Sequence, residues 1–258
     1  MQHPLAEVAL LERMAADGSD GFPLLLREDF AGSGALSQAW AMSDPDRQAM
    51  AVDHHAPTVR WGAAYRAHPD IHRVIGDVLE TPGPRVDIVA SLNFSAMVWR
   101  RRPEMLCYFR AARKRLRPGG VFILDFFGGP GAKRLGEQTR RIEADTEHDL
   151  PAFTYRWCQH AFDEATARID CRVYFDLPGQ PPSPRPAFRY DWRLWTAPEL
   201  VDLAQEARFD RVELWSVGVE KAPQGAPVGP PTPRYRPRPK LPATDDFVAY
   251  CVARKAEG

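Results

Sequence analysis

The sequence predicts an α/β fold in which a mostly parallel sheet carries helices on both faces. Between residues 22 and 127, five short apolar runs alternate with helical patterns, and such near-continuous apolar strands are typical of a parallel sheet. A glycine-containing turn, Gly32-Ser33-Gly34, joins the first strand to the helix that follows it. After residue 150, apolar and polar residues alternate, which indicates antiparallel strands with one solvent-facing side.

The elements of the first half follow from hydrophobic periodicity and turn residues. Strands are predicted over 22–27, 49–53, 71–76, 86–92 and 121–127. Helices are predicted over 5–14 and 33–42, from Pro57 onward, and over 103–116. The run Arg117-Pro118-Gly119-Gly120 ends the last of these helices and leads into the fifth strand.

The second half predicts a small insertion and a further helix. Three alternating segments within residues 150–195 predict three antiparallel strands inserted after the fifth parallel strand. Thr196 and Glu199 form a capping box that begins a helix reaching about Phe209.

The chain then returns to the main sheet. Two strands, over 211–218 and 247–254, complete it, and residues 222–242 between them are so rich in proline and arginine that we expect a loop. At 258 residues, one α/β domain over 1–258 with an elaboration fits better than two independent domains.

Composition narrows the class of protein. The chain has 34 basic and 34 acidic residues, so no overall basic field favours nucleic acid or an anionic membrane. The apolar runs are of strand length and the N-terminus does not read as a signal peptide, so we expect a cytoplasmic protein without a membrane span. The four cysteines are dispersed, and we expect reduced thiols with no metal site.

The glycine turn and a following carboxylate predict a site for an adenosine-containing ligand. Asp53 ends the second strand, nineteen positions after Gly34, and a carboxylate there accepts hydrogen bonds from a ribose diol. A nicotinamide dehydrogenase fits less well because Gly34-Ala35-Leu36-Ser37 lacks the third glycine of its fingerprint. A P-loop nucleotidase does not fit because no Gly-Lys-Ser/Thr follows the glycines. A metal pair at His54 and His55 does not fit either, because adjacent residues at a strand end point opposite ways.

The residues together resemble the class I, Rossmann-like methyltransferases that use S-adenosylmethionine, over nearly the whole chain. The resemblance rests on Glu28-x-Phe30-x-Gly32-x-Gly34, on Asp53 and Asp77 after strands two and three, on Asn93-Phe94-Ser95, and on Leu116-Arg117-Pro118-Gly119-Gly120. It implies a seven-stranded sheet, mostly parallel with the last strand antiparallel, with helices on both faces. A small three-stranded antiparallel insert follows strand five.

The same resemblance implies the cofactor site. Gly32 and Gly34 let S-adenosylmethionine lie against bare backbone, Asp53 holds the ribose, and Asp77 with Val78 holds the adenine. Glu28 then lies near the cofactor ammonium. The residues that the resemblance assigns to the cofactor are Glu28, Phe30, Ala31, Gly32, Gly34, Asp53, His54, Asp77, Val78 and Asn93.

The acceptor is expected over the carboxyl ends of strands four and five, beneath the insert. The candidate pocket residues are Phe94, Phe127, Tyr155, Trp157, Tyr190 and Trp192. A sulfonium is already an activated electrophile, so methyl transfer needs alignment more than acid–base machinery. Asn93 and Asp125 are the best catalytic candidates, and no catalytic residue is assigned.

Structural alternatives stay open at several of these positions. Glu28 is as well suited to an ion pair with Arg27 or another helix, and Asp53 to capping the next helix. Asp125 is equally placed to cap the Gly128-Gly129 turn, and the aromatic stripe is more often core than pocket.

We therefore expect methyl transfer to an oxygen or nitrogen atom of a small molecule. One alternative is a tRNA or rRNA methyltransferase that grips phosphates with Trp99-Arg100-Arg101-Arg102 and the basic helix after it. Another is a catalytically degenerate cofactor-binding protein acting through partners, because Phe30 stands where a glycine is usual. The loop over 222–242 is a surface loop or a docking segment, and the sequence does not indicate an oligomeric state.

Overall fold

The computed structural model describes residues 3–16, 22–144, 151–217 and 235–257. Its helices are α1 (Pro4–Ala16), α2 (Ala35–Met42), α3 (Ala56–Tyr65), α4 (Arg102–Arg115) and α5 (Ala197–Glu206). Its strands are β1 (Leu25–Asp29), β2 (Gln48–Asp53), β3 (Ile71–Ile75), β4 (Val86–Ser91), β5 (Leu116–Gly128), β6 (Gly136–Ile142), β7 (Phe153–Asp163), β8 (Arg168–Asp176), β9 (Phe188–Arg193), β10 (Arg211–Val217), β11 (Tyr235–Pro237) and β12 (Phe247–Arg254).

The main sheet has the order β11-β10-β12-β5-β4-β1-β2-β3. Strands β1 to β5 run parallel to one another, whereas β12 lies between β5 and β10 and is antiparallel to both. The predicted mostly parallel sheet with an antiparallel last strand is therefore confirmed. The chain leaves β1 toward β2 on one side and returns to β4 on the other, so a crevice for ligands lies at their carboxyl ends.

Helices cover both faces of this sheet, as predicted. On one face, α4 and α5 bury a cluster that includes Tyr108, Phe109 and Phe122. On the other face, α1 and α2 bury a second cluster that includes Leu11 and Trp40. Because both faces are covered, β4 is buried along nearly its whole length and β5 is buried from Gly120 to Phe126, which explains their continuous apolar sequence.

The second sheet differs from the prediction in its number of strands. It has four strands in the order β6-β7-β8-β9, so the expectation of a three-stranded insert was wrong. Strand β6 escaped the pattern because Gly136 to Arg141 are all exposed and carry no apolar alternation. Strand β6 pairs with β7 through backbone hydrogen bonds, which any residue type supplies.

The loop predicted over 222–242 also needs a correction. Residues 235–237 form β11, which pairs antiparallel with β10 at the edge of the main sheet, so the sheet has eight strands and the expected number of seven was wrong. Residues 238–242 are described and have no regular structure, whereas 222–234 and Gly218 lie outside the described residues. Among the helices that are described, none is both long and apolar enough to cross a bilayer.

Candidate functional site

The turn between β1 and α2 is built from residues with positive φ. The φ angles of Phe30, Gly32 and Gly34 are 58°, 55° and 73°. Two backbone hydrogen bonds close this turn: the Gly34 N–H donates to the Ala31 carbonyl at 2.8 Å, and the Ala31 N–H donates to the Val52 carbonyl at 3.0 Å. Glycine adopts these angles without strain, so the backbone approaches the crevice without a Cβ at two of the three positions.

Asp53 connects this turn to the end of β2. Its Oδ2 accepts the Gly32 N–H at 2.8 Å, and its Oδ1 accepts the His55 N–H at 2.8 Å. A carboxylate offers about four lone-pair directions, so about two remain for further donors. Asp53 therefore anchors the start of α3. This helix-anchoring role leaves acceptor capacity for a ligand, so Asp53 can serve both roles. His54 beside it is 83% exposed.

Glu28 is buried under the first turn of α2 and does not pair with Arg27. Its Oε2 accepts both the backbone N–H and the hydroxyl of Ser37, at 2.9 and 2.6 Å. Burial raises the pKa of Glu28 to about 7, and the hydrogen bonds from Ser37 oppose that rise. A cation placed beside this carboxyl would therefore favour loss of its proton.

The ring of Phe30 belongs to an aromatic cluster behind the turn. Its centroid lies 5.7 Å from that of Tyr108 and 6.3 Å from that of Trp99, both in edge-to-face geometry. Phe30 thus keeps the left-handed backbone that glycine adopts easily, and the packing of its ring compensates for the strain.

The turn after β3 carries the residues predicted to hold an adenine. Asp77 is exposed and its Oδ1 accepts the Leu79 N–H at 2.7 Å, while Val78 is buried. The Asp77 carbonyl accepts the Thr81 N–H at 2.8 Å, which closes the turn. The side chain of Asp77 therefore shapes the loop and retains a second oxygen for another donor.

Asp125 fixes the loop after β4. Its two carboxylate oxygens accept the N–H groups of Asn93 and Phe94 at 2.9 and 2.7 Å. Both residues have positive φ, 59° and 61°, so these bonds stabilise a strained loop at the carboxyl end of the sheet. Burial raises the pKa of Asp125 to about 7. The alternative that Asp125 caps the Gly128-Gly129 turn does not match these contacts, and Asn93 is exposed at the crevice.

A cavity of about 630 Å³ lies beside this loop, between β5 and the antiparallel sheet. Four of the six predicted pocket residues line it, namely Phe94, Phe127, Tyr155 and Trp157. Tyr190 and Trp192 do not line it: Tyr190 stacks on Trp157 with its ring centroid 6.0 Å away, and the Trp192 ring lies tilted to Trp157 at 6.2 Å.

Several lining residues were missed by sequence reasoning. They come from the segment after β5, from β6 and β7, and from the start of β12, and they include Arg134, Leu135, Gln138, Gln159, Asp246 and Phe247. Phe247 could have been found from the predicted strand order: β12 is antiparallel to β5, so its first residue, Phe247, lies opposite Gly128 at the carboxyl end of β5. No apolar pattern marked the others.

The basic run that suggested nucleic acid is engaged in ion pairs. Arg100 pairs with Asp191 on β9, Arg102 with Glu206 on α5 at 2.5 Å, and Arg101 with Glu104 at 2.6 Å. Further along α4, Arg110 and Arg113 also have acidic partners within 3.7 Å. These contacts join α4 and the preceding loop to β9 and α5.

Comparison with known proteins identifies the fold. No family model and no curated protein matches the chain. Among solved structures, the CcbJ methyltransferase of Streptomyces caelestis superposes with a TM-score of 0.66 at 20% identity, covering 99% of this chain and 97% of that one. The sugar N-methyltransferase KedS8 of a Streptoalloteichus species gives 0.67 at 18% identity, covering 99% and 89%.

A third similar structure is CalS10 of Micromonospora echinaspora, an amino pentose methyltransferase solved with S-adenosylmethionine bound. It gives a TM-score of 0.67 at 16% identity and covers 99% of this chain and 92% of that one. The chain thus has the Rossmann-like fold of S-adenosylmethionine-dependent methyltransferases, and the predicted fold class is confirmed. At these identities the likeness concerns the fold, and the site is argued from this chain's own residues.

Proposed function

We propose that this protein is an S-adenosylmethionine-dependent methyltransferase that methylates a nitrogen or oxygen atom of a small molecule. The observation that carries the proposal is the hydrogen bond between the Gly32 N–H and the Asp53 carboxylate. It joins a glycine turn and a ribose acceptor at the carboxyl ends of two adjacent parallel strands, where nucleotide-type ligands bind in such sheets.

The residues present fit this cofactor. Gly32 and Gly34 leave the backbone bare at the start of α2, where free N–H groups favour a carboxylate. The unused lone pairs of Asp53 suit the ribose diol, and Asp77 with the Val78 N–H suits the adenine. Glu28, at the end of β1, is assigned to the ammonium group, and Ala31, His54 and Asn93 complete the proposed contacts.

When bound, this cofactor supplies a methyl group on a positively charged sulfur. The chain's own contribution is then alignment and exclusion of water. Asp125 holds the Asn93–Phe94 loop in place. Phe94 and Phe127 line the cavity beside this loop, and their ring centroids are 4.8 Å apart. Asp125 therefore acts in this proposal by positioning Asn93 and Phe94.

Three observations favour a small acceptor over RNA. The cavity volume falls within the range of small-molecule sites, about 300 to 1,000 Å³. The arginines after Trp99 have acidic partners, which weakens the electrostatic grip on phosphates that the alternative requires. The named substrates of the similar structures, a sugar and an amino pentose, belong to the same size class.

The proposal treats residues 1–258 as one methyltransferase domain with residues 150–195 in its lid, and it includes a cytoplasmic location. The alternative of a degenerate cofactor-binding protein rested on Phe30. The packing of that ring against Trp99 and Tyr108, outside the glycine turn, favours an intact site.

Transfer of a labelled methyl group tests the proposal. The protein is incubated with methyl-labelled S-adenosylmethionine and either a mixture of small amines and sugars or bulk tRNA. We expect label in the small-molecule fraction. Label in tRNA would show that the acceptor is RNA and not a small molecule. Cofactor binding without methyl transfer to either acceptor, or to a cell extract, would support the degenerate alternative.

A further inference from the structure

Strand β1 carries a charged pair inside the core. Arg27 and Asp29 are each 0% exposed, and the Arg27 Nε lies 2.7 Å from the Asp29 Oδ1. Their side chains lie on the face of the sheet that α4 covers, opposite Glu28. Removing two charges from water costs several kcal/mol, and apolar side chains of similar volume would pack as stably. The pair therefore calls for an explanation other than stability.

The remaining donors of Arg27 reach the turn after β3. Its Nη2 donates to the Val78 carbonyl at 3.3 Å and its Nη1 to the Thr81 carbonyl at 3.2 Å. Arg115 of α4 donates to the Leu79 carbonyl between them at 2.8 Å. The planar guanidinium thus fastens two carbonyls of one short turn to β1, which a lysine cannot do in the same geometry.

The second oxygen of Asp29 extends the network to α4. The Tyr108 hydroxyl donates to the Asp29 Oδ2 at 3.2 Å, and the Tyr108 ring contacts Phe30 edge-on. Burial raises the pKa of the Tyr108 hydroxyl, with the Asp29 charge adding to the effect, so this donor keeps its proton. Along this segment, Arg27 therefore contacts the turn after β3, Glu28 contacts α2 and Asp29 contacts α4. The next residue, Phe30, packs against Trp99.

We propose that Arg27 and Asp29 are positioning residues that hold the Asp77–Thr81 turn in the geometry that selects an adenine ring. The inference rests on the proposed function, because it assigns this turn to the cofactor's base. Arg27 sets where the turn lies relative to β1, and hence relative to Gly32 and Asp53. Asp29 orients the guanidinium by holding its Nε.

The test compares S-adenosylhomocysteine with S-inosylhomocysteine, which lacks the exocyclic amine, by calorimetry. Wild type is expected to bind the adenosyl ligand about tenfold more tightly, because the exocyclic amine makes one hydrogen bond to a charged acceptor that the inosyl ligand cannot make. The double variant Arg27→Met with Asp29→Leu removes both charges together and leaves no lone buried charge, so it is expected to fold, with a lower Tm because the Val78 and Thr81 carbonyls lose their donor. Its affinity for the adenosyl ligand should fall about tenfold or more and its preference should shrink.

Two further variants keep the inference falsifiable. Arg27→Lys retains the charge beside Asp29 but loses the fork, so it should fold and lose preference for the adenosyl ligand. Arg47→Met is the matched control, since Arg47 is also buried, paired with Glu12 at 2.7 Å and stacked on Trp40, but precedes β2 at the opposite edge of the sheet. It should lower the Tm and leave affinity and preference unchanged.

The outcomes separate the two proposals. If wild type binds the adenosyl ligand and the folded double variant or Arg27→Lys binds with wild-type affinity and preference, the positioning role is overturned. If Arg47→Met loses preference as strongly as Arg27→Lys, the effect is one of general stability, which also overturns it. If wild type binds neither ligand, the proposed function itself fails.

Discussion

The Asp53 carboxylate accepts the Gly32 N–H at 2.8 Å and so fixes the distance between the glycine turn and the end of β2. One carboxylate thereby shapes the turn, anchors α3 through His55 and faces the ligand crevice. Loss of this acceptor should affect ligand affinity more than the loss of one surface charge would.

Asp53→Asn tests that expectation. The amide places an N–H₂ group opposite one of the two backbone donors, Gly32 or His55, so one hydrogen bond is lost, at about 1–3 kcal/mol where the Gly32 N–H, which is partly buried, loses its acceptor. We expect affinity for S-adenosylmethionine to fall about 10- to 100-fold by calorimetry. Asp46→Asn, an exposed position before β2, is the control. Equal affinity of wild type and Asp53→Asn would contradict the role of Asp53.

Gly62 sets the approach of α3 to the glycine turn. A Cβ at this position would lie 2.1 Å from the Ser33 carbonyl oxygen, so Gly62→Ala must displace the helix or the turn. We expect a tenfold or greater loss of cofactor affinity, about 1.4 kcal/mol, although alanine favours a helix by about 1 kcal/mol.

Ala64→Gly, two residues further along α3, is the converse control. Ala64 is exposed, so the change weakens the helix by about 1 kcal/mol without touching the turn. It should lower the Tm and preserve affinity. Lost affinity in Ala64→Gly would show that α3 acts through stability alone, and unchanged affinity in Gly62→Ala would contradict the role of Gly62.

Cofactor affinity should depend on pH through Glu28. Its pKa is raised by burial to about 7, so the carboxyl is largely protonated below that pH and ionised above it. The cofactor ammonium favours the ionised form, so affinity should rise between about pH 6 and 8 with release of up to about one proton. Calorimetry in buffers of different ionisation enthalpy measures that proton. Glu28→Gln should flatten the profile, and an unchanged profile would place the ammonium elsewhere.

Stability should show the opposite trend in the unliganded protein. The folded pKa values of Glu28 and Asp125 are raised to about 7, above their ordinary values of 4.5 and 3.8. A raised folded pKa contributes stability that is present below the unfolded pKa and is lost as pH rises through about 7. Urea unfolding should therefore show a falling free energy of unfolding from about pH 5 to 8. Glu28→Gln with Asp125→Asn should reduce that slope.

The role of Phe30 can be tested by Phe30→Gly. The ring packs on Trp99 and Tyr108, so its loss should destabilise the fold by about 2–4 kcal/mol. Because the turn keeps its backbone conformation, cofactor affinity should stay within about threefold of wild type. A tenfold gain in affinity would mean that Phe30 obstructs the cofactor and would revive the degenerate alternative.

Most of the main sheet could be predicted, because buried parallel strands and their helices leave strong apolar patterns. Strand β6 could not, because it is held by backbone pairing alone and its side chains are exposed. Cofactor candidates were found because glycines and Asp53 occur at fixed positions in the chain. The role of Asp125 was open, since its contact with the Asn93–Phe94 loop joins residues 31 and 32 positions apart. The Arg27–Asp29 pair gave no signal, since a charged residue within a strand usually marks its solvent face.

Titration of the wild-type protein with S-adenosylmethionine tests the central claim most directly. We expect one cofactor per chain, with a Kd in the micromolar range and displacement by S-adenosylhomocysteine. An absence of binding at about 1 mM cofactor, with a protein shown to be folded by its thermal transition, would contradict the assignment.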